Sequence, residues 1–97
     1  MRIISRRILR EFWEKHPDSA LPLQNWFRDV ERAAWNNPAD IKAVNQNASF
    51  LANNRVAFNI KGNHYRLVVI VVYKHGVVYI GFVGTHEEYD RIDATTI

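Results

Sequence analysis

Lys61, His64, Arg66, Thr85, His86, Tyr89 and Asp90 are the residues whose types and spacing could do chemistry. An arginine offers a bidentate fork to a phosphate, a lysine a compact point charge, and a helix start its free backbone N–H groups. His86, Tyr89 and Asp90 stand at i, i+3 and i+4, so an imidazole, a phenol and a carboxylate share one side of a helix. Such a set suits the breakage of an RNA phosphodiester by its own 2′-OH. That reaction needs a proton acceptor for the hydroxyl, positive charge for the crowded phosphorane and a proton donor for the leaving 5′-oxygen. The four histidines are scattered, with no HxxxH pair and no cysteine, so no metal site is expected.

Each candidate has an ordinary alternative. Arg66 could complete a structural ion pair, Lys61 could be a solvated lysine beside a turn, and His64 a surface histidine. His86 could merely open a helix, Tyr89 could be core, and Asp90 could be an exposed or capping carboxylate. His16 closes an apolar stripe and reads as structural, and His75 reads as surface. Arg2, Arg6, Arg7 and Arg10 read as a solvated helix face.

The elements that must position these residues follow from the hydrophobic period. Met1 to Ile4 forms a short strand. Ile8, Leu9, Phe12, Trp13 and His16 fall on one face of a helix that Pro17 ends. A second helix starts between Asp18 and Pro22, with Leu23, Trp26, Phe27, Val30 and Ala34 as its stripe. Asn37 caps a third from Pro38 to Val44. Beyond residue 46 the period becomes two. Strands are expected at Ala48–Ala52, around Val56–Ile60, at Tyr65–Tyr73 and at Val77–Val83, with turns at Gly62-Asn63 and His75-Gly76. Thr85-His86-Glu87-Glu88 is a capping box opening a short last helix. The class is α+β: an antiparallel sheet with two to three N-terminal helices packed on one face and a short C-terminal helix.

With both turns as two-residue loops, Asn59 faces Arg66, Phe58 faces Leu67, Ile70 faces Gly81 and Arg66 faces Thr85. The core face then collects Val56, Phe58, Ile60, Tyr65, Leu67, Val69, Val71, Tyr73, Val78, Ile80 and Phe82. The other face collects Arg55, Asn59, Lys61, His64, Arg66, Tyr79 and Gly81 and ends at Thr85. On this count Lys61, Arg66 and His86 converge on one shallow concavity, with Tyr89 at its edge.

The chain has 97 residues, which is one domain spanning 1–97. Its 47% apolar and 24% charged composition excludes a disordered tail. A domain this small has little interior to spare, so a groove or flat face is expected rather than a deep cavity. Without cysteine there is no disulfide framework, thiol nucleophile or Cys-ligated zinc, which is compatible with a reducing cytoplasm. No segment reads as a signal peptide or membrane span. The net charge of +3 is compatible with a polyanion partner.

Three stretches carry a family resemblance. Asn53-Asn54-Arg55-Val56-Ala57-Phe58-Asn59-Ile60-Lys61-Gly62-Asn63, Tyr65-Arg66-Leu67-Val68 and Phe82-Val83-Gly84-Thr85-His86-Glu87-Glu88-Tyr89-Asp90 resemble the HigB-type toxins of bacterial type II toxin–antitoxin systems. The likeness extends over nearly the whole chain, including the opening Arg-Ile-Ile-Ser and the Trp-rich helices. It implies a RelE-like fold and an endoribonuclease that cuts mRNA in the ribosomal A site without metal or cofactor. It also implies neutralisation by a HigA-type helix-turn-helix antitoxin and a cytoplasmic address, with no membrane partner. Residue by residue, Lys61 and Arg66 match the family's basic pair, and His86 and Tyr89 match the polar start of the last helix. These four are the expected catalytic residues, with Arg55, Asn59, His64 and Thr85 as RNA contacts. A basic residue is common in the family where Gly81 stands, so this chain brings fewer charges to the phosphate. The same basic face would also serve a non-catalytic RNA- or ribosome-binding module, and a plain protein-interaction domain would use its charges only for solvation.

Overall fold

A computed structural model describes all residues from Met1 to Ile97. Strand β1 is Arg2–Ile4, and helices α1, α2 and α3 are Arg6–Lys15, Ala20–Arg32 and Pro38–Val44. Strands β2, β3, β4 and β5 follow at Ser49–Phe50, Arg55–Ile60, Tyr65–Val72 and Val77–Thr85, and helix α4 is His86–Asp90. The sheet order is β1-β5-β4-β3-β2. β2 to β5 form an antiparallel meander, whereas β1 lies parallel to β5, so the sheet is mixed rather than purely antiparallel. No helix is long and apolar enough to cross a membrane.

The helices begin and end where their side chains dictate. α1 stops short of Pro17, whose ring disfavours helical backbone at the residue before it. A 3-10 turn, Pro17–Ser19, then reverses the chain into α2. α2 accepts Pro22 in its first turn and buries Leu23, Trp26 and Val30. Asn37 caps α3 by accepting the Asp40 N–H at 3.1 Å. These stripes meet Val56, Phe58, Ile60, Tyr65, Leu67, Val69, Val71, Val78 and Ile80 in one core. Each Leu, Ile, Val or Phe fully buried there contributes roughly 1.5–3 kcal/mol.

The β3–β4 register is the expected one, with Asn59 opposite Arg66 and Phe58 opposite Leu67. The β4–β5 register is not. A 3-10 turn at Tyr73–His75 and a left-handed Gly76 lengthen the connection, so Ile70 faces Tyr79 instead of Gly81. The ladder then skips Gly81: Val69 faces Ile80, and Val68 faces Phe82. One extra residue on one strand reverses the side-chain alternation beyond it. Arg66 therefore ends opposite Gly84, and Thr85 ends opposite Tyr65.

The bulge also moves Phe82 out of the helix-covered core. It packs on the far face against a second cluster built on Ala57, Val68 and Ala94, with Leu51, Tyr89, Ile92 and Ile97 around it. The face expected to be open and cationic is thus partly covered by the segment that follows α4.

Candidate active site

Arg66 projects from β4 onto the far face, between Asn59 on β3 and Gly84 on β5. Gly84 has no side chain to block it, and the Arg66 guanidinium carbon lies 4.9 Å from the centroid of the Tyr89 ring. That distance is within reach of a cation–π contact. Tyr89 is oriented from below by Phe82, ring centroids 6.5 Å apart. The Arg66 Nε and the Asn59 Oδ1 are both enclosed and have no hydrogen-bond partner in the protein. A donor and an acceptor therefore remain unused at adjacent positions.

His86 stands at the first position of α4. Its Nδ1 lies 3.4 Å from the Asp90 carboxylate one turn later, and its ring centroid is 6.4 Å from that of Tyr89. The Asp90 contact orients the imidazole and leaves Nε2 without a protein partner. The His86 backbone N–H donates to the His64 carbonyl at 3.3 Å, which ties the start of α4 to the β3–β4 turn.

The expected capping box forms. The Thr85 hydroxyl accepts the Glu88 N–H at 3.1 Å, and the Glu88 carboxylate accepts the Thr85 N–H at 2.8 Å. The Thr85 N–H holds the Glu88 carboxyl below its ordinary range, with the Thr85 side chain adding to it. Thr85 thus shapes the helix that carries His86 and Tyr89, and its β-ladder position is beside Tyr65 instead of Arg66.

Lys61 does not join Arg66. Residues 61–64 form a four-residue turn in which Lys61 is left-handed (φ 52°), so strand alternation no longer sets its direction. Its Nζ donates to Asp18 Oδ2 at 2.7 Å, on the side of the sheet where the helices lie. Asp18 Oδ1 accepts the Tyr65 hydroxyl at 2.5 Å. The carboxyl of Asp18 is held below its ordinary range by the Lys61 bond first and the Tyr65 bond second, while Asp18 pushes the Tyr65 phenol up. The expectation that Lys61, Arg66 and His86 share one concavity is therefore corrected: Arg66, Tyr89 and His86 gather, and Lys61 points elsewhere. Asp18 is a residue that sequence reading passed over, because it registers there only as a helix-start residue.

The remaining candidates divide. His64 lies in the turn, with Nδ1 2.9 Å from the Lys61 carbonyl and its own carbonyl on His86. Asn59 faces Arg66. Arg55 stands four residues back along β3, roughly 13 Å from Asn59 by strand geometry. Its guanidinium donates to the carbonyls of Asn53 at 2.8 Å and Ile97 at 2.5 Å, so it pins the C-terminal segment. At Gly81 a Cβ would meet Ile70 Cδ1 at 3.1 Å and Ile97 Cγ2 at 3.4 Å, so this strand position is closely packed. No three His, Asp or Glu side chains gather in an array that could hold a metal ion. A groove of about 710 Å³ lies between α2, α3 and β3 and excludes Arg66, His86 and Tyr89.

Residues 19–92 match the family described as HigB toxin, the RelE-like toxic component of a toxin–antitoxin system. The chain is 31% identical over 97 residues to the mRNA interferase toxin HigB of Escherichia coli strain K12, covering 97% of this chain and 92% of that one. It shows the same identity and coverage to the mRNA interferase HigB of Shigella flexneri. It is 23% identical over 94 residues to the mRNA interferase HigB of Escherichia coli O6:H1, covering 95% and 91% of the two chains. These matches place the chain in the HigB toxin family of RelE-like toxins.

Proposed function

We propose that this toxin is a ribosome-dependent endoribonuclease that cuts mRNA by metal-independent attack of the substrate's 2′-OH on the adjacent phosphodiester. The observation that carries the reading is the stacking of Arg66 on Tyr89 beside His86, three residue types that can serve one phosphate. Arg66 neutralises the phosphorane with the guanidinium that stacks on Tyr89. His86 Nε2 and the Tyr89 hydroxyl are the proton-transfer groups. One takes the proton from the 2′-OH as the O2′–P bond forms, and the other donates to the 5′-oxygen as the P–O5′ bond breaks. The products are a 2′,3′-cyclic phosphate and a 5′-hydroxyl end. Asn59 contacts the RNA beside Arg66, and His64 flanks the same end of the sheet. Lys61, Arg55 and Thr85 act through the scaffold.

The A-site mRNA on a cytoplasmic ribosome is the substrate in this reading. The antitoxin partner is a HigA-type helix-turn-helix protein. The names of the relatives support RNA cleavage. Expression without antitoxin should arrest growth and deplete mRNA while leaving rRNA largely intact. In a purified translation system, programmed mRNA should be cut with 2′,3′-cyclic phosphate ends. Normal growth with folded protein and intact transcripts would remove the proposal. Binding to ribosomes without any cut transcript would instead establish the non-catalytic RNA- or ribosome-binding module.

A further inference from the structure

We propose that Asp18 is a positioning residue for the reaction: by stapling the two sides of the β3–β4 turn, it holds the turn on which His86 is hung. The inference rests on the reading of His86, Tyr89 and Arg66 as the cleavage site.

The carboxylate sits in the Pro17–Ser19 turn, yet both its oxygens are used far along the chain. Oδ2 takes the Lys61 ammonium at 2.7 Å and Oδ1 takes the Tyr65 hydroxyl at 2.5 Å. Lys61 follows the last residue of β3 and Tyr65 is the first of β4, so one carboxylate closes the hairpin from outside. Inside the turn, the Lys61 carbonyl accepts the His64 N–H at 3.2 Å and lies 2.9 Å from His64 Nδ1. The His64 carbonyl in turn accepts the His86 N–H at 3.3 Å. A continuous chain of contacts therefore runs from Asp18 through Lys61 and His64 to His86.

The staple has a backbone to hold. Lys61 is left-handed at φ 52°, a conformation disfavoured for a non-glycine residue that persists when its surroundings fix it. Tyr65 is itself seated against Phe12, ring centroids 5.3 Å apart, and against His16 at 5.4 Å. The carboxylate thereby references the turn to the helix layer. As an energy term the Asp18–Lys61 pair is minor, because the two side chains are 43% and 42% exposed. What it controls is where the turn sits. Misplacing a reacting group by about 1 Å can cost up to ~10²-fold in rate.

The test compares wild type, His86→Ala, Asp18→Asn and Asp18→Glu on ribosome-bound mRNA, with thermal melting of each. Wild-type cleavage that His86→Ala abolishes shows that the underlying reading holds. If wild type does not cut, that reading is the one that has failed. With cleavage established, Asp18→Asn should lower kcat by about ten- to hundredfold with KM nearly unchanged. Asp18→Glu should recover part of the rate. In NMR spectra of Asp18→Asn the His64 and His86 resonances should shift while those of β1 stay in place.

An unchanged rate, or a change confined to KM, overturns the proposal. So does an increase in rate, which would mean that Asp18 sequesters Lys61 from the RNA. If Asp18→Asn does not fold, Tyr65→Phe removes one bond of the staple without emptying the core. The same kcat loss and the same His86 shift are then expected, and their absence is decisive against it.

Discussion

The Arg66 guanidinium lies against the Tyr89 ring, 4.9 Å from its centroid, and this contact joins the central strand of the hairpin to the last helix. It gives Arg66 a fixed direction, and none of the side-chain ion pairs of the fold includes Arg66. The ordinary alternative for Arg66, a structural ion pair, is absent.

Arg66→Ala should reduce cleavage by ~10²–10³-fold, the usual cost of losing one electrostatic contact to a transition state. Melting should shift little. Arg66→Lys keeps the charge but loses the planar fork and should recover only part of the rate. A primer-extension assay on ribosome-bound mRNA, run beside thermal melting, separates this from a folding role. A collapse of the melting transition would assign Arg66 to the scaffold.

Tyr89 has two separable functions. Tyr89→Phe keeps the ring over Arg66 and removes only the hydroxyl, so a rate loss there measures proton transfer. Tyr89→Ala removes the stacking too and should cost more in rate and about 1 kcal/mol or more in stability, since the ring packs beside Phe82. Equal activity of Tyr89→Phe and wild type would restrict Tyr89 to stacking.

Thr85→Ala removes the acceptor of the Glu88 N–H and should cost about 1 kcal/mol. α4 has five residues, so the loss should appear as faster hydrogen exchange in that helix and reduced cleavage, more than as global unfolding. Thr85→Ser should behave almost as wild type.

Gly84→Ala would set a Cβ 2.5 Å from Phe82 Cζ and 3.1 Å from Glu88 Oε1. The ring must move, and the capping carboxylate with it. Destabilisation of roughly 1–3 kcal/mol is expected, together with lost activity. Calorimetry and a crystal structure of the variant would test it; an undisturbed Phe82 would contradict the packing argument.

Acid should unfold the protein partly through Asp18 and Glu88. Both carboxyls titrate below their ordinary values of 3.8 and 4.5 in the folded chain. Their stabilisation is therefore complete above those unfolded values and is lost as pH falls through the lower folded ones. Tyr65 has the opposite sign: its phenol is raised above 10.0, so its contribution is present below that pH and lost as pH rises past it. Asp18→Asn should be less stable than wild type near neutrality, and the gap should narrow as pH falls through 3.8 and below. Melting temperatures across that window are the measurement. A gap independent of pH would deny the carboxylate this function.

Local signals in the sequence determined most of the elements. The 3.6-residue stripes, the Asn37 cap, the Thr85–Glu88 capping box and the Gly62-Asn63 turn each act within a few residues, so they are legible without a fold. The β3–β4 pairing was legible for the same reason, since a short connection fixes the register of its flanking strands. The next hairpin was not. The 3-10 turn at Tyr73–His75 and the skipped Gly81 depend on how β5 seats against the rest of the sheet. Together they carried Phe82 to the far face and set Arg66 beside Gly84. Nor could the chain announce that Lys61 turns toward Asp18, 43 residues away, or that Tyr65 meets the same carboxylate from a distance of 47. Residue types and short spacings name the groups that can do chemistry. Which of them meet is decided by long-range packing, because a left-handed turn residue and a single bulge redirect side chains that strand alternation alone would have placed together.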